Sequence, residues 1–159
     1  MSTLPHRAGA RPRTTPSNPH TQLDQQPGDA ALAEELARRV FALPGVTEEP
    51  SRVSVPGARA LILAQDDAGG PPEAFLVGRE FAHLHPAPDY SLHAMLPPEV
   101  VEEAIEAGWA EHHPVARLGL IPATAVMLYA PRNHAELDVV EQLVRASYGF
   151  ARGSSRPVV

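Results

Sequence analysis

Residues 81–96 read FAHLHPAPDYSLHAML and contain two short runs in which apolar and polar residues alternate. Alternation with a period of two is typical of β-strands, and the Pro-rich stretch between the runs predicts an antiparallel hairpin. The register that brings the apolar side chains onto one face pairs Leu84 with Leu92 and Ala82 with Ala94. A slip of one residue would turn this set toward solvent, so we expect the stated register.

This register places His83 opposite His93 and His85 opposite Ser91, on the face that does not carry the apolar side chains. Directly opposed residues have Cβ atoms roughly 4.5–5.5 Å apart. We therefore expect the three imidazoles to form one patch. On this face the predicted hairpin also places Phe81 beside the histidines.

The surrounding segment, residues 80–114, contains five of the eight histidines of the chain, including His112 and His113. The remaining elements form a scaffold for it. The predicted elements are a helix from Asp29 to Leu43, strands at 52–55, 58–64 and 73–77, the hairpin, a helix after Pro97 that ends at Gly108, a strand at 124–129 and a helix from Asn133 to Gly149.

The order of these elements predicts one α+β domain, in which an antiparallel sheet of about four to five strands packs against two to three helices. The chain has 159 residues, which suits a single core. We place the domain at 29–153 and a flexible tail at 154–159. Two helices should lie on one face of the sheet and the histidine patch on the other or at its rim.

Residues 1–28 are rich in Pro, Thr, Ser, Gln and Arg and contain few large apolar residues. Such a composition predicts a disordered arm. His6 and His20 lie in it, and we expect both to be solvated linker residues without a function.

Composition excludes several kinds of chemistry. The chain has no cysteine and all 13 basic residues are arginine, so disulfides, thiolate sites, Schiff bases and phosphate-binding P-loops are excluded. A net charge of −6 with 5% aromatic residues argues against a nucleic acid partner.

Neither a membrane span nor the apolar core of a signal peptide is present in the sequence, which predicts a cytoplasmic protein that does not bind membranes. The oligomeric state stays open.

The His-x-His pair points two imidazoles to the same side of a strand, as in metal sites built on sheets. His83, His85 and His93 are the candidate ligands of a divalent transition metal such as Zn, Fe(II), Cu or Ni. Two further alternatives stay open. The first is pH sensing or acid-base catalysis without a metal, by one histidine, with His113 a further candidate, together with Asp89, Glu80 or Glu111. The second is an ordinary sheet face whose histidines are structural.

Three other side chains are candidates for ligand binding. Tyr90 and Trp109 flank the histidine segment and could wall a pocket, although a single Trp after a helix is more often part of a core. Arg132 could bind an anionic group, although an Arg beside a helix start more often forms an ion pair.

Four separated blocks of the sequence resemble a known family: EFAHLHP at 80–86, SLH at 91–93, GWAEHHP at 108–114 and YAPR at 129–132. They are similar to the luciferase-like proteins, a group of small bacterial and fungal proteins with a luciferase domain. The resemblance extends from about Leu36 to Gly153. This family is distinct from the flavin-dependent bacterial luciferases, whose TIM-barrel chains are far longer than the present sequence.

The resemblance implies a light-emitting oxidation of a small organic molecule, and it assigns no catalytic residues. A link to the dinoflagellate luciferases, which histidines control by pH, would make the patch a switch. We therefore expect a protein that binds a small organic molecule next to the histidines. If it is an enzyme, it is a luciferase-like oxidoreductase or a metal-dependent enzyme, and the alternative is a non-enzymatic interaction or pH-sensing module. Imidazoles at the wall of a concave pocket would favour the enzyme, and imidazoles on a flat exposed face the module.

Overall fold

The computed structural model describes residues 4–154. The strands are β1 (Val46–Pro50), β2 (Arg59–Leu63), β3 (Glu80–Leu84), β4 (Leu92–Met95), β5 (Ala110–His112) and β6 (Ala125–Leu128). The helices are α1 (Ala31–Phe41), α2 (Pro98–Glu106), the short α3 (Pro114–Arg117) and α4 (His134–Arg152). All strand pairs are antiparallel, in the order β1-β2-β3-β4-β6-β5. The predicted α+β class and the antiparallel sheet are confirmed.

Helix α4 carries the main core contact of the sheet, because it packs against β3, β4 and α1. Its predicted buried face is confirmed, with Leu137, Val140, Leu143, Val144 and Tyr148 all buried. The core around it consists mostly of Leu, Val and Ala side chains. An aliphatic core of this kind is expected where aromatic residues are few.

The sheet has six strands, more than the four to five predicted. The two additional strands are its edges, β1 and β5, which are short or mostly exposed and lack an apolar alternation. Edge strands are often short and polar, which blunts unwanted pairing and also hides them from pattern analysis. The predicted strands at 52–55 and 73–77 are wrong: the first is a turn, and the second begins with a 3-10 turn at Pro72–Ala74.

The ends of α4 follow from specific side chains and from one glycine. Asn133 caps the helix as predicted, since its side chain accepts a hydrogen bond from the backbone N–H of Glu136 at 2.9 Å. The predicted end at Gly149 is wrong, because Ala151 is still buried against the core and the helix continues to Arg152. Gly153 ends it with a φ of 82°, a left-handed conformation that favours glycine.

Replacing Asn133 by Ala should lower the free energy of unfolding by about 1 kcal/mol, because the first turn of α4 loses its side-chain acceptor. Chemical denaturation followed by circular dichroism measures the change. Asn133→Asp is the matched control, since it keeps the acceptor and should stay close to the wild type. Equal losses in both variants would contradict a capping role.

Residues 4–28 differ from the predicted disordered arm, because they lie against the sheet. The backbones of Arg13 and Leu23 are joined by a 2.8 Å hydrogen bond, and Thr14 forms a β-bridge with Gln22, which closes a small hairpin. The side chain of Gln22 accepts a hydrogen bond from the N–H of Ala130 at 2.8 Å. Hydrogen bonds to fixed partners thus hold this segment where apolar burial is scarce. Residues 1–3 and residues 155–159 of the predicted tail lie outside the described residues.

None of the helices in the described part of the chain combines the length and the apolar character that a membrane span requires.

Candidate functional site

The hairpin of β3 and β4 positions the histidines as the sequence predicts. Ala82 pairs with Ala94, His83 with His93, and Leu84 with Leu92. The leucines and alanines belong to the helix-covered core, while the histidines project from the opposite face. The ring centroids of His83 and His93 lie 5.1 Å apart, and the ring centroid of His85 lies 4.6 Å from that of His93.

A β-bulge changes the alternation at the start of β3. Leu61 pairs with Ala82 but Ile62 pairs with Glu80, so Phe81 has no partner on β2. A bulge of this kind re-aims the side chains beside it. The ring of Phe81 therefore lies 6.1 Å from that of Tyr148 in the core. The prediction that Phe81 shares the histidine face is wrong, and Glu80 takes that place.

Glu80 is fully buried beneath the histidines. Its Oε2 atom lies 2.8 Å from Nδ1 of His83 and accepts a hydrogen bond from the Ser51 hydroxyl at 2.8 Å. The ring nitrogen that faces the carboxylate must donate, so His83 carries its proton on Nδ1. Its other nitrogen, Nε2, points at His93.

A continuous line of hydrogen-bonding atoms runs on from His83 through the cluster. Nε2 of His83 lies 3.1 Å from Nδ1 of His93, and Nε2 of His93 lies 2.9 Å from Nδ1 of His20. Nε2 of His20 lies 2.7 Å from Oε2 of Glu111. Glu111 in turn accepts hydrogen bonds from the hydroxyls of Thr14 and Tyr129 at 2.8 and 2.9 Å. Three imidazoles thus connect two carboxylates.

His85 has a separate anchor in the loop between β3 and β4. Its Nδ1 atom lies 2.9 Å from the Ser91 hydroxyl, which donates its own proton to Oδ1 of Asp89 at 2.5 Å. Since the hydroxyl proton is used, Nδ1 of His85 must be the donor and Nε2 holds the lone pair. Oδ2 of Asp89 lies 3.2 Å from Nδ1, close enough for charge attraction, but it accepts no hydrogen bond from the described residues.

His113 faces the cluster from the start of α3. The ring lies 4.7 Å from His93 and 5.2 Å from His20. Its Nδ1 atom accepts a hydrogen bond from the backbone N–H of Val115 at 3.1 Å. In the neutral ring the proton is therefore on Nε2, which makes His113 a hydrogen-bond donor at this wall.

These imidazoles line a pocket of about 510 Å³ on the face opposite α4. Its other walls come from the N-terminal segment, the turn after β1 and the loop after α3. The lining residues are Asn18, Pro19, His20, Val53, Ser54, Val55, Leu76, His83, His85, His93, His113, Val115 and Ile121. A concave site with apolar walls and a few convergent polar groups is typical of a small-molecule site.

Burial keeps several of these imidazoles neutral. It lowers the pKa of His93 well below 6.5, and the neighbouring imidazoles lower it further. Burial also lowers the pKa of His83, although Glu80 opposes it, and lowers the pKa of His113 to about 4. At neutral pH these three rings are therefore uncharged.

Two carboxyl groups beside the rings also have a lowered pKa, which for an acid favours the charged form. Burial raises the pKa of Glu111, but the hydrogen bonds from His20, Thr14 and Tyr129 outweigh it and leave the pKa below 4.5. Burial likewise raises the pKa of Asp89, but the nearby His85 ring and the hydrogen bonds from Ser91 outweigh it and leave the pKa lowered. Both groups are ionised at neutral pH, so the cluster contains fixed negative charge.

The structure separates the sequence-predicted site residues into two groups. His83, His85, His93 and His113 lie together at the pocket, and Glu111 adjoins it through His20. The three predicted ligand-binding residues, Tyr90, Trp109 and Arg132, do not line this pocket. Trp109 is buried in the core, and its indole N–H donates to the carbonyl of Pro5 at 2.7 Å. Arg132 forms an ion pair with Glu136.

Sequence analysis missed one residue of the site. The expectation that His20 is solvated is wrong, since it is 3% exposed and joins His93 to Glu111. Glu80 and Asp89, which the sequence offers as carboxylate partners of a histidine, lie beside His83 and His85, respectively. No local signal identifies His20.

Comparisons with known proteins give a consistent result. A family model described as the Luciferase domain matches residues 78–147. A luciferase of Armillaria gallica is 33% identical over 172 residues, covering 98% of this chain and 64% of that protein. A luciferase of Armillaria mellea is 34% identical over 163 residues, covering 92% and 60%, and one of Neonothopanus nambi is 42% identical over 74 residues, covering 45% and 28%. No solved structure matches the chain.

The matched segment contains the hairpin with its three histidines, helix α2 and His113. The similarity to the Armillaria luciferases extends over nearly all of the chain, while the chain spans between 60% and 64% of their length. The resemblance predicted from the four sequence blocks is thereby confirmed. This chain therefore carries a segment that matches the Luciferase domain and is similar over nearly all of its length to fungal luciferases.

Proposed function

We propose that the protein binds a small organic molecule in the histidine-lined pocket and oxidises it with dioxygen. The observation that carries this proposal is the position of the buried imidazoles at the wall of a concave pocket with apolar sides. A volume of about 510 Å³ suits a molecule of a few hundred daltons. A flat, exposed patch would have favoured an interaction module instead.

The polar groups of the pocket suit a ligand with an acidic hydroxyl group. His113 offers an N–H donor, while His85 offers the lone pair of Nε2, since its Nδ1 is engaged by Ser91. Such a set accepts the hydroxyl proton and stabilises the oxygen anion that remains. The anion is richer in electrons than the neutral ligand, so it gives up electrons to dioxygen more readily.

The names of the relatives support the same reaction class. The Armillaria and Neonothopanus relatives are called luciferases, a term for enzymes that emit light during the oxidation of a small molecule. This chain spans less than two thirds of the length of the Armillaria luciferases. Light emission by the chain itself is therefore proposed together with the oxidation.

Purified protein should be screened against hydroxylated aromatic and enolic compounds by thermal shift, followed by oxygen uptake and photon counting. The proposal predicts a compound that raises the melting temperature and is consumed together with dioxygen. A compound that binds without oxygen uptake would leave a binding module, and a complete failure of binding would overturn the proposal.

A large side chain that fills the pocket should weaken the binding of the small molecule. Ile121 lines the pocket and Leu120 beside it does not, its side chain being 73% exposed. Ile121→Trp should weaken the affinity for a compound found in the screen at least about tenfold, because the indole occupies ligand volume and one tenfold step needs only about 1.4 kcal/mol. Isothermal titration calorimetry measures the change.

Leu120→Trp is the matched control, since it adds the same side chain one position away and should retain wild-type affinity. Equal affinities in both variants would place the compound outside this pocket.

A further inference from the structure

The contact between His83 and His93 brings two ring nitrogens face to face at 3.1 Å, and the hydrogen bonds around them leave a lone pair on each. Nε2 of His20 lies 2.7 Å from a carboxylate oxygen of Glu111 and donates to it, so in a neutral His20 the other nitrogen, Nδ1, accepts. Nε2 of His93 then donates to it, and Nδ1 of His93 is left with a lone pair. This lone pair faces the lone pair of His83 Nε2 at 3.1 Å. Two lone pairs at that distance repel, and either a proton or a metal ion relieves the repulsion.

With His85 as the third ring, the cluster has the geometry of a metal site. One ring nitrogen from each of His83, His85 and His93 lies within 4.8 Å of the other two. Two ligands on one tetrahedral zinc ion at 2.0–2.1 Å are about 3.3 Å apart, close to the His83–His93 contact. The rings are already near the positions that a shared ion would impose.

The surroundings of the rings resemble a second coordination shell. Metal-bound histidines generally donate their other N–H to a carboxylate or a similar acceptor, which fixes the tautomer. Here His83 donates to Glu80, His85 donates to Ser91 beside Asp89, and His93 is oriented by His20.

The charge of the cluster also favours a divalent ion over a single proton. Glu111, Asp89 and Glu80 place three carboxyl groups beside the rings of His20, His85 and His83, and Glu80 is fully buried. No arginine side chain is hydrogen-bonded to any of these three groups in the described part of the chain. Buried negative charge of this kind is costly unless a cation compensates it.

A second group of rings nearby does not meet the same conditions. His20, His93 and His113 also have ring nitrogens within 4.8 Å of one another. However, Nδ1 of His113 accepts a hydrogen bond from the Val115 N–H, so in the neutral ring Nε2 is protonated and offers no lone pair. Both nitrogens of His20 are engaged by His93 and Glu111.

We propose that His83, His85 and His93 bind one divalent transition metal ion at the pocket wall, and that His20 and Glu111 are positioning residues that direct Nδ1 of His93 toward it. Three neutral imidazoles without thiolate ligands suit Zn, Cu, Ni or Fe(II). An open fourth position on the pocket side would accept an oxygen atom of a bound molecule and lower the pKa of its hydroxyl. Metal binding needs no organic ligand, so it is tested independently of the proposed oxidation.

The test uses untagged protein purified without chelator, then stripped and reloaded separately with Zn, Cu, Ni and, without air, Fe(II). Plasma mass spectrometry after gel filtration gives the metal content. We expect about one ion per chain for the wild type and less than a tenth of that for the double variant His83→Gln, His85→Gln. The double variant His112→Gln, His134→Gln is the matched control, because it removes two histidines outside the cluster and should bind like the wild type.

Two further measurements separate metal binding from folding. His20→Gln and Glu111→Gln leave the three ligands in place and should weaken metal affinity 10–100-fold, as is usual for outer-shell partners. X-ray absorption of the zinc-loaded wild type should show imidazole nitrogens around the ion. No binding of any of the four metals by the wild type, equal content in both double variants, or a shell without imidazole would overturn the proposal.

Discussion

Replacing Glu80 by Ala should lower the free energy of unfolding by about 3–5 kcal/mol. The carboxylate is fully buried and is the acceptor for Nδ1 of His83 and for the hydroxyl of Ser51. The buried His83 N–H left without a partner costs about 1–3 kcal/mol, and the half-buried Ser51 hydroxyl adds less because water can replace its acceptor. The lost side-chain volume adds a cavity cost, and the one methylene that is removed contributes about 0.8 kcal/mol. Urea denaturation at pH 7 measures the difference.

Two variants control for this prediction. Glu80→Gln keeps one oxygen acceptor for His83 and should cost about 1–2 kcal/mol. Glu99→Ala removes an exposed Glu from the first turn of α2 and should change stability by at most about 0.5 kcal/mol. A loss below about 1 kcal/mol in Glu80→Ala would mean that His83 finds another acceptor, and the fixed tautomer of that ring would no longer hold.

The predictable part of the site is the part that local pattern determines. The pairing of His83 with His93 follows from the alternation of leucine and alanine with histidine, because only one register buries all apolar side chains. The same reasoning predicts the buried face and the N-cap of α4. In these elements a side chain's place depends on neighbours two to four residues away.

The bulge at Phe81 shows where this reasoning stops. Strict alternation assigns Phe81 to the histidine face, yet one extra residue on β3 reverses the assignment and brings Glu80 beneath His83. The bulge allows an aromatic contact with Tyr148 of α4, which lies far from Phe81 along the chain. Such a distant contact leaves no mark in the local pattern.

His20 was missed for a different reason. Composition predicts disorder where a segment has little apolar surface to bury. Residues 13–23 instead exchange specific hydrogen bonds with the sheet, and His20 fits between an imidazole and a carboxylate that come from β4 and β5. Burial of a polar segment depends on partners that only the assembled fold supplies. The histidine cluster therefore combines a predictable hairpin with an unpredicted cover.

Acidification should destabilise the metal-free protein steeply between pH 6.5 and 5. The folded state holds His83, His93 and His113 with a lowered pKa, whereas the same residues in the unfolded chain titrate near 6.5. As the pH falls below 6.5, the unfolded chain binds protons that the folded chain does not, so the free energy of unfolding decreases. Each such imidazole contributes about 1.4 kcal/mol per pH unit. We expect about 2–4 kcal/mol per pH unit in total, since solvent screening reduces the share of the half-buried His113.

The facing carboxylates do not reverse this sign. Glu80, Asp89 and Glu111 favour protonated rings, but the pKa of His83 and His93 stays lowered in their presence. Their own titration in the unfolded chain falls near pH 4, so between pH 6.5 and 5 the imidazoles dominate the change. Urea denaturation at pH steps of 0.5, in the presence of chelator, gives the slope.

Two pocket variants make the measurement specific. His113→Gln removes one titrating ring and should flatten the slope by up to about 1.4 kcal/mol per pH unit. Ser54→Ala lines the same pocket without a titrating group and should keep the wild-type slope. A free energy of unfolding that stays constant or rises as the pH falls from 6.5 to 5 would contradict neutral buried rings. A native stability of about 5–15 kcal/mol would lose a large fraction over this interval, so the rings that shape the pocket also limit the pH range in which the fold persists.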